Sequence, residues 1–449
     1  MTAAASHPLL THPTPDSIVA WRHGEAVTVA GFLGDVARVA AALPPGRHVL
    51  NVCSDRYRFA VGLAAGLVSG RVSLLPSTIT REVVGHLRAF APDVFCLADG
   101  DQEAFGLPCI AFPDDRTRDT APRAIPLLPD DQPVAWLFTS GSTGTPVPHR
   151  KTWGALVKNV RAEAELLGLT DGRRHAIVGT VPAQHSYGFE STVMVALQSG
   201  AAFAAGRPLF PADICAAIAA VPRPRALVTT PFHLRTLLDA GVELPPLDLV
   251  VSATAPLSVA LARDTEARCH APLLEIYGAT ETGQIACRRS VETAEWQLFP
   301  GVVLTQEGGR TWASGGHVEG KVALDDVLEL AGPGRFVLHG RSADMINIAG
   351  KRSSLAYLNH QLCAVPGVTD GAFFVPDEET PDGVTRLVAV VVAPGMDAAA
   401  LIRALRARIE PAFLPRRVVF VASLPRNNTG KLPAEALRAV VAAHPRRQP

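Results

Sequence analysis

The sequence predicts an α/β protein with a large N-terminal domain of doubly wound α/β subdomains, a small β-rich subdomain within it, and a small mobile α+β C-terminal domain. Three observations lead to this prediction. Apolar runs alternate with helical stretches from residue 177 to 278, glycine-broken apolar runs follow over 302–337, and a β-branched run lies between two helical stretches near the C-terminus. Such alternation with short connections is typical of a parallel sheet covered by helices on both faces. We therefore predict domains over residues 1–343 and 344–449.

The individual elements follow from the hydrophobic pattern, taken in chain order. A first strand–helix–strand unit is expected within residues 51–75. In the alternating segment we expect strands at 176–181, 201–205, 226–230, 247–252 and 273–277, and helices from 190 and at 212–221, 232–240 and 258–269. In the C-terminal domain we expect a helix at 355–365, a strand at 387–393 and a helix at 398–409.

The composition excludes several classes of function. The 449 residues carry 42 Lys and Arg against 42 Asp and Glu, so the net charge of zero provides no general attraction for nucleic acid. No apolar run approaches the roughly 18 to 20 residues of a membrane-spanning helix, so we expect no membrane span. The N-terminus lacks a basic start and a continuous apolar core, which is unlike a signal peptide and predicts a cytoplasmic location.

The seven cysteines are scattered along the chain and nowhere form Cys-x-x-Cys. This spacing argues against a disulfide framework and against a thiolate zinc site. We expect the cysteines mainly as small buried apolar residues.

A glycine-rich loop is the most informative segment. It reads Trp136-Leu-Phe-Thr-Ser-Gly-Ser-Thr-Gly-Thr-Pro146, an apolar strand that runs into small hydroxyl and glycine residues before a helix expected to start near Lys151. Glycines let the backbone approach a ligand closely, and N–H and hydroxyl groups donate hydrogen bonds to phosphate oxygens. A Walker loop is excluded because no Gly-Lys-Ser/Thr follows. The alternative is a flexible surface turn. The predicted phosphate-binding residues are Thr139, Ser140, Gly141, Ser142, Thr143 and Gly144.

Further motifs follow in a fixed order along the chain. They read Pro182-Ala-Gln-His-Ser-Tyr-Gly188, Ser252-Ala-Thr-Ala-Pro-Leu257, Tyr277-Gly-Ala-Thr-Glu-Thr-Gly283 and Leu424-Pro-Arg-Asn-Asn-Thr-Gly-Lys431. Together with the glycine-rich loop they resemble the adenylate-forming superfamily, which comprises acyl- and aryl-CoA synthetases, peptide-synthetase adenylation domains and luciferases. The resemblance extends from Thr139 to Lys431.

The resemblance implies a two-step activity that uses ATP and Mg²⁺. A carboxylic acid is activated to an acyl-adenylate with release of pyrophosphate, and a pantetheine thiol of coenzyme A or of an acyl carrier protein then takes the acyl group. The acid is an aryl acid such as a hydroxybenzoate, or a short acyl acid. The second step implies rotation of the C-terminal domain about a hinge at Asp344.

The resemblance also implies roles for individual residues. The implied catalytic residues are Lys431, Glu281, Thr280 and His185, with Glu281 holding the metal. Besides the loop, the implied nucleotide-binding residues are Ala255, Pro256, Tyr277, Gly278, Asp326 and Arg341. The implied substrate pocket consists of His185, Tyr187, Phe189, Phe232 and Ala253. Taken alone, His185 also fits a structural histidine, and Asp326 also fits a turn or a helix cap.

One departure from the family pattern concerns the loop lysine. Where the family usually has Pro-Lys-Gly, this chain has Pro-Val-Pro with Val147 in the lysine position. Either His149, Arg150 or Lys151 substitutes, or the first step depends more on magnesium. Taken alone, these three basic residues predict a solvated helix start.

Two other readings remain at this point. One is an adenylation-like protein that binds a nucleotide or acyl ligand without turnover. Val147 favours this interpretation, whereas Lys431 argues against it. The other is an unrelated kinase or NTPase, which the missing Walker lysine and kinase signatures disfavour. The oligomeric state is left open.

Overall fold

The structure of the protein is a computed structural model, and it describes residues 5–76, 78–100, 106–113, 121, 123–140, 146–341, 345–348, 351–375, 387–426 and 432–444. Its strands, in chain order, are β1 (Ser6–Pro8), β2 (Ile18–Arg22), β3 (Glu25–Thr28), β4 (His48–Asn51), β5 (Val72–Pro76), β6 (Phe95–Ala98), β7 (Cys109–Ala111), β8 (Leu127–Pro129), β9 (Pro133–Ser140), β10 (Pro146–Thr152), β11 (Ala176–Gly179), β12 (Ala202–Ala204), β13 (Arg225–Thr229), β14 (Leu249–Ser252), β15 (Leu273–Ala279), β16 (Gly283–Arg288), β17 (Glu295–Leu298), β18 (Val302–Glu307), β19 (Arg310–Gly315), β20 (Val318–Leu324), β21 (Asp326–Gly332), β22 (Arg335–Arg341), β23 (Met345–Ile348), β24 (Lys351–Ser354), β25 (Asp370–Phe374), β26 (Val388–Val392) and β27 (Arg417–Phe420).

The helices connect these strands. They are α1 (Val29–Ala42), α2 (Arg56–Val68), α3 (Arg81–Phe90), α4 (Trp153–Leu166), α5 (Ser186–Gly188), α6 (Val195–Ser199), α7 (Pro211–Ala219), α8 (Pro231–Asp239), α9 (Val259–Cys269), α10 (Leu355–Cys363), α11 (Ala398–Arg406) and α12 (Ala434–Ala443). A π-helix over Phe189–Met194 joins α5 to α6, and a 3₁₀ turn covers Pro411–Phe413. No helix within the described ranges has both the length and the apolar character needed to cross a membrane.

Two large sheets form the N-terminal part of the fold. The six-stranded sheet has the order β10-β9-β5-β4-β6-β7 and is parallel except for β10. The eleven-stranded sheet has the order β21-β22-β17-β16-β15-β14-β13-β11-β12-β2-β3, with a parallel centre from β15 to β2. A separate three-stranded antiparallel sheet, β18-β19-β20, corresponds to the predicted β-rich subdomain.

Helices cover both faces of these sheets. The largest apolar core includes Phe32 of α1, Phe59 of α2 and Trp153 of α4, none of which exposes any side-chain area. A second core packs α7, α8 and α9 against the eleven-stranded sheet, and a third packs α3 against the six-stranded sheet. The doubly wound α/β fold class is confirmed.

The C-terminal part has its own sheet and its own cores. Strands β25 and β26 are antiparallel, while β26 and β27 are parallel. One face carries a core formed with α10 and α11, and the other carries a core that includes Leu437 and Val441 of α12. This arrangement is the α+β architecture that the sequence predicts.

Helix starts show why the sequence folds locally as it does. Thr28, Asp55, Ser258 and Asp397 each precede a helix, and the side chain of each accepts a hydrogen bond from the backbone N–H three residues later. A cap of this kind satisfies a backbone donor that the helix itself leaves unpaired. The predicted elements agree with the observed ones within a few residues at their ends.

One expectation is wrong. The helix expected to start near Lys151 is present as α4 from Trp153, but His149, Arg150 and Lys151 lie on strand β10 and not at a solvated helix start. The prolines at 146 and 148 disfavour helix in the residues before them, and β10 pairs antiparallel with β9. The cysteines are mainly buried, as expected: Cys215 and Cys363 are partly exposed, Cys109 is exposed, and the other four are buried.

A buried arginine joins the two large sheets. Arg56 at the start of α2 is 1% exposed, and its guanidinium donates to the carbonyl oxygens of Gly179, Val181, Ala204 and Gly206 at 2.6–3.1 Å. Burial lowers its pKa to about 10, so it stays charged at neutral pH. The helix that follows β4 is thereby attached to the carboxyl ends of β11 and β12.

We expect Arg56→Met to lower the stability of the protein by about 3 kcal/mol or more, because several buried carbonyl groups lose their donor. The midpoint of urea unfolding measures the change. Arg263→Met, at an exposed position of α9, is the matched control and should shift the free energy of unfolding by less than about 0.5 kcal/mol. Equal midpoints for the two variants would contradict the structural role of Arg56.

Candidate functional site

The predicted phosphate loop lies between two antiparallel strands. Strand β9 ends at Ser140, β10 begins at Pro146, and Val147 pairs with Thr139 across the two strands. The hydroxyl of Thr139 lies 2.9 Å from Nε2 of His149. Gly141, Ser142, Thr143 and Gly144 lie outside the described residues, as does the side chain of Ser140. The loop is therefore flanked by a strand on each side, and not by the predicted strand and helix.

His149 links this strand pair to the Tyr-Gly-x-Thr-Glu motif. Its Nε2 lies 3.5 Å from Oε1 of Glu281, whose side chain is 40% exposed. Burial lowers the pKa of His149, the negative charge of Glu281 opposes that change, and the positive charge of Lys151 adds to it. The imidazole is thus mainly neutral at neutral pH and can hydrogen-bond to Thr139.

A cavity of about 390 Å³ opens beside these residues. Glu281, His149 and Lys151 face it together with His317, and Lys321 lies at its edge on β20. Burial, together with the smaller effect of the charge of Lys151, lowers the pKa of His317 to about 4. The cavity thus combines two exposed carboxylates, those of Glu281 and Glu319, with the positive charges of Arg150, Lys151 and Lys321.

Lys151 is the unusual cation of this cavity. It is 8% exposed, and no carboxylate of the described chain lies within ion-pair distance of it. Its charge nevertheless acts on buried Glu190, whose pKa is raised by burial and lowered by Lys151. A nearly buried ammonium without a close ion-pair partner, facing a cavity, is suited to binding an anion.

The predicted substrate pocket is built on the segment after β11. His185 caps α5, because its Nδ1 accepts from the backbone N–H of Tyr187 at 3.3 Å. A Cβ atom at Gly188 would lie 2.0 Å from the carbonyl oxygen of Pro182, so only glycine fits the end of this motif. Phe189 follows directly and exposes no side-chain area.

Tyr187 connects this segment to the next predicted motif. Its hydroxyl donates to the carbonyl oxygen of Val251 at 3.1 Å, two residues before Ala253, which is 8% exposed. His185, Tyr187, Phe189 and Ala253 therefore lie on neighbouring segments. Phe232 stands apart from them on α8, where it is 44% exposed and its ring meets that of His233.

Three of the predicted nucleotide residues are brought together by β15, β21 and β22. The hydroxyl of Tyr277 donates to Oδ2 of Asp326 at 2.7 Å, and its ring packs against Trp296 and Phe336. Asp326 pairs with Arg341 across β21 and β22, although the side chain of Arg341 lies outside the described residues. The structure thus brings together residues that are 49 positions apart in the chain.

The remaining predicted residues occupy turns. Gly278 lies near the end of β15, where a Cβ atom would come within 2.3 Å of the carbonyl oxygen of Gly283. Thr280 is partly exposed in the turn between β15 and β16, and after β14 Ala255 is partly exposed and Pro256 exposed. The predicted hinge and catalytic lysine, Asp344 and Lys431, lie outside the described residues.

The environment or the role of several residues in this region was not predicted from the sequence. The basic triplet was expected on a solvated helix start, whereas Lys151 is nearly buried in a strand and Arg150 is exposed. His317 and Glu163 were not singled out. For Lys151 a signal existed, because the chain contains only five lysines; for Glu163 the signal is a carboxylate on the apolar face of α4.

Comparison with known proteins agrees with these motifs. The profile of the "AMP-binding enzyme" family matches residues 14–307, and that of the "AMP-binding enzyme C-terminal domain" matches residues 358–431. The 4-coumarate–CoA ligase of Rhodobacter capsulatus is 33% identical over 297 residues, which are 65% of this chain and 73% of that protein. The 3-hydroxybenzoate–CoA/4-hydroxybenzoate–CoA ligase of Thauera aromatica is 26% identical over 364 residues, 71% of this chain and 68% of that protein.

A solved structure shares the fold over nearly the whole chain. The o-succinylbenzoate CoA synthetase of Bacillus subtilis, in complex with its acyl-adenylate intermediate, has a TM-score of 0.82 and 17% identity, and the match covers 97% of this chain and 98% of that one. The family profiles and the ordered motifs agree along the chain. The protein belongs to the AMP-binding enzyme family and is an AMP-forming acid–thiol ligase of the adenylate-forming superfamily.

Proposed function

We propose that this ligase activates an aryl carboxylic acid with ATP and transfers the acyl group to the thiol of coenzyme A. The names of the relatives support this choice, because one acts on 4-coumarate and another on 3- and 4-hydroxybenzoate, all three of which are aryl acids that are joined to coenzyme A. A phosphopantetheine thiol on a carrier protein is the other acceptor to be tested.

The observation that carries the proposal is the contact chain Thr139–His149–Glu281. It joins β9, the strand before the glycine-rich loop, through β10 to the turn after Tyr277, and β10 and that turn face one cavity. A reaction at the α-phosphorus of ATP needs donors for the phosphoryl oxygens and positive charge for the leaving group in one place. The hydroxyl of Thr139 offers a donor, and Lys151 of β10, which faces the same cavity as Glu281, offers the positive charge.

The proposed first step joins the acid to AMP. A carboxylate oxygen attacks the α-phosphorus, the bond from that phosphorus to the bridging oxygen breaks, and pyrophosphate leaves. In the second step the thiol sulfur attacks the acyl carbon, its proton is released, and AMP leaves. Lys431 is proposed to bridge carboxylate and phosphate oxygens in the first step, since a lysine provides a mobile point charge.

We propose that Lys151 supplies the positive charge that the family's loop lysine provides and that Val147, at the lysine position, lacks. Val147 is 44% exposed, whereas Lys151, four residues later, is almost buried and faces the cavity with Glu281. Its ammonium is thus held by the strand before any ligand arrives. A preorganised charge stabilises a developing negative charge without the reorganisation that a mobile side chain requires.

Magnesium fits the donor set of this cavity. No group of three or more His, Cys, Asp or Glu side chains in the described ranges forms a metal cage. Mg²⁺ is usually held by one or two carboxylates together with phosphate oxygens and water, and Glu281 offers such a carboxylate. When bound, the ion would neutralise charge on the phosphates.

The domain division is also proposed to serve the second step. Residues 1–343 and 344–449 form the two bodies, with Asp344 as the hinge. Separate apolar cores in the C-terminal part support this division.

The first test is acid-dependent exchange of labelled pyrophosphate into ATP, across a panel of aryl and short aliphatic acids. We expect exchange with aryl acids and a loss of at least about 100-fold in Lys431→Ala, since removing one group that stabilises the transition state has effects of this size. Adding coenzyme A, or a phosphopantetheinylated carrier protein, should then release AMP with the correct acceptor. Absence of exchange with every acid would favour binding without turnover.

The second test concerns Lys151. Lys151→Ala should lower the rate of adenylate formation by about 100-fold at saturating acid, because the leaving pyrophosphate loses a fixed charge. Single-turnover formation of acyl-adenylate measures the rate. Lys158→Ala, at an exposed position of α4, is the control and should behave as the wild type. If both variants behave alike, Lys151 has no role in charge neutralisation.

The third test concerns the nucleotide side. Tyr277→Phe removes the hydrogen bond to Asp326 and should raise the KM for ATP roughly 3- to 10-fold, because the net worth of one such bond is about 1 kcal/mol. The KM for the acid should change little. Tyr357→Phe, whose ring is 46% exposed on α10, is the matched control. An unchanged KM for ATP in Tyr277→Phe would argue against a nucleotide site beside Asp326.

A further inference from the structure

A buried polar cluster lies behind the cavity, where α4 packs against the π-helix and β16. Each of its members is 5% exposed or less, although a polar side chain is rarely placed so deeply without a full set of partners. The members are Asn159, Glu163, Glu190, Ser191 and Gln284.

Several donors of this cluster are engaged within the protein. Nδ2 of Asn159 donates to Oε2 of Glu190 at 3.1 Å, and the hydroxyl of Ser186 donates to Oε1 of the same carboxylate at 3.2 Å. Nε2 of Gln284 donates to the hydroxyl oxygen of Ser191 at 2.8 Å. Glu190 is thereby satisfied on both oxygens.

The acceptors of the cluster are not satisfied. Within the described chain, Oδ1 of Asn159 and Oε1 of Gln284 lack a hydrogen-bond partner, and the carboxyl of Glu163 has only the nearby hydroxyl of Ser191 as a donor, outside good hydrogen-bond geometry. Buried polar atoms without good partners are unfavourable and are few in folded proteins. These neighbouring acceptors can therefore take a donor from a ligand.

The cluster adjoins both the cavity and the proposed substrate pocket. Asn159 lines the cavity, and Glu163 lies one helical turn further along the same face of α4. Glu163 is also close enough to Tyr187 for its charge to raise the pKa of the tyrosine, after the larger effect of burial. Glu163 thus lies one helical turn beyond Asn159 and near Tyr187 of the proposed substrate pocket.

The protonation of Glu163 suits a neutral ligand. Burial raises its pKa to about 8; the nearby hydroxyl of Ser191 opposes the shift, and the charge of Glu190 adds to it. At neutral pH the carboxyl is mainly protonated, so it offers one donor and one acceptor. A ligand hydroxyl can both donate to such a carboxyl and accept from it.

We propose that Glu163, with Asn159 and Gln284, recognises a hydroxyl or N–H group at the end of the acid remote from its carboxylate. The enzyme then prefers hydroxylated or N–H-bearing aryl acids over unsubstituted ones. This inference rests on the proposed function, since it assigns the aryl end of the acid to this cluster. A site with buried acceptors rejects an analogue that lacks the donor, because the acceptors would stay unpaired.

The test compares matched acids that differ by one hydroxyl: 4-coumarate with cinnamate, and 4-hydroxybenzoate with benzoate. For the wild type we expect kcat/KM in pyrophosphate exchange to be at least about 10-fold higher for the hydroxylated acid. In Glu163→Met this ratio should fall by about 10-fold or more, and in the isosteric Glu163→Gln it should fall less. Glu165→Gln, at an exposed position of the same helix, should keep the wild-type ratio.

A purely structural role for Glu163 predicts a different result. Glu163→Met would then lower kcat/KM equally for both acids of a pair, and that outcome overturns the proposal, as does a wild-type ratio near one. If Glu163→Met fails to fold, the ratio of kcat/KM between the hydroxylated and the unsubstituted acid is measured in Glu163→Gln and Gln284→Met instead. A wild-type ratio in both variants would overturn the proposal.

Failure of the proposed function gives a separate signature. Exchange with aryl acids but without preference for the hydroxyl contradicts only the inference about Glu163. Absence of exchange with all acids contradicts the proposed function, and equilibrium dialysis of the same acid pairs without ATP then tests donor recognition directly. Equal dissociation constants within each pair, in the wild type and in Glu163→Met, would overturn the inference in that case.

Discussion

The guanidinium of Arg56 is the contact on which the relative position of the two large sheets depends. It belongs to the first α/β unit, yet its four carbonyl partners lie at and just beyond the carboxyl ends of β11 and β12 of the second. Buried carbonyl groups where strand pairing ends need other donors, and a planar donor with several N–H groups can satisfy them together. The segment that carries His185 begins just after two of these carbonyls. The buried guanidinium of Arg56, which lies outside the candidate site, thus helps to fix the position of that site.

The site itself follows from the direction of the strands. Thr139 lies at the end of β9, His185 follows β11, Ala253 follows β14 and Tyr277 lies near the end of β15. Carboxyl ends of parallel strands share one edge of a sheet, and ligands of open α/β sheets bind in the crevice outside that edge. The contact between His149 and Glu281 brings the crevices of the two sheets together. Motifs more than a hundred residues apart can therefore act on one ligand.

The sequence predicted those elements whose hydrophobic pattern is regular over a short stretch of chain. The alternating units after residue 176 were predicted because their apolar strands and amphipathic helices repeat in order, whereas β10 was missed because its seven residues are mostly polar. The ordered motifs predicted Tyr277 and Asp326 as members of one site, and they are hydrogen-bonded. The pairing of His149 with Thr139 and Glu281 was not predicted, since it depends on how two sheets meet. The buried cluster around Glu163 was missed for the same reason.

The phosphate side and the acyl side of the proposed site share one buried network. The charge of Lys151 acts on Glu190, Asn159 donates to Glu190, and Glu190 in turn raises the pKa of Glu163. An ammonium placed on a strand needs such a carboxylate behind it, because a nearly buried charge without compensation is costly. The same carboxylate favours the neutral form of Glu163, since two buried like charges repel. The nearly buried position of Lys151, in contrast to the exposed position of Val147 on the same strand, thereby links the residue proposed to face the phosphates with those proposed to select the acid.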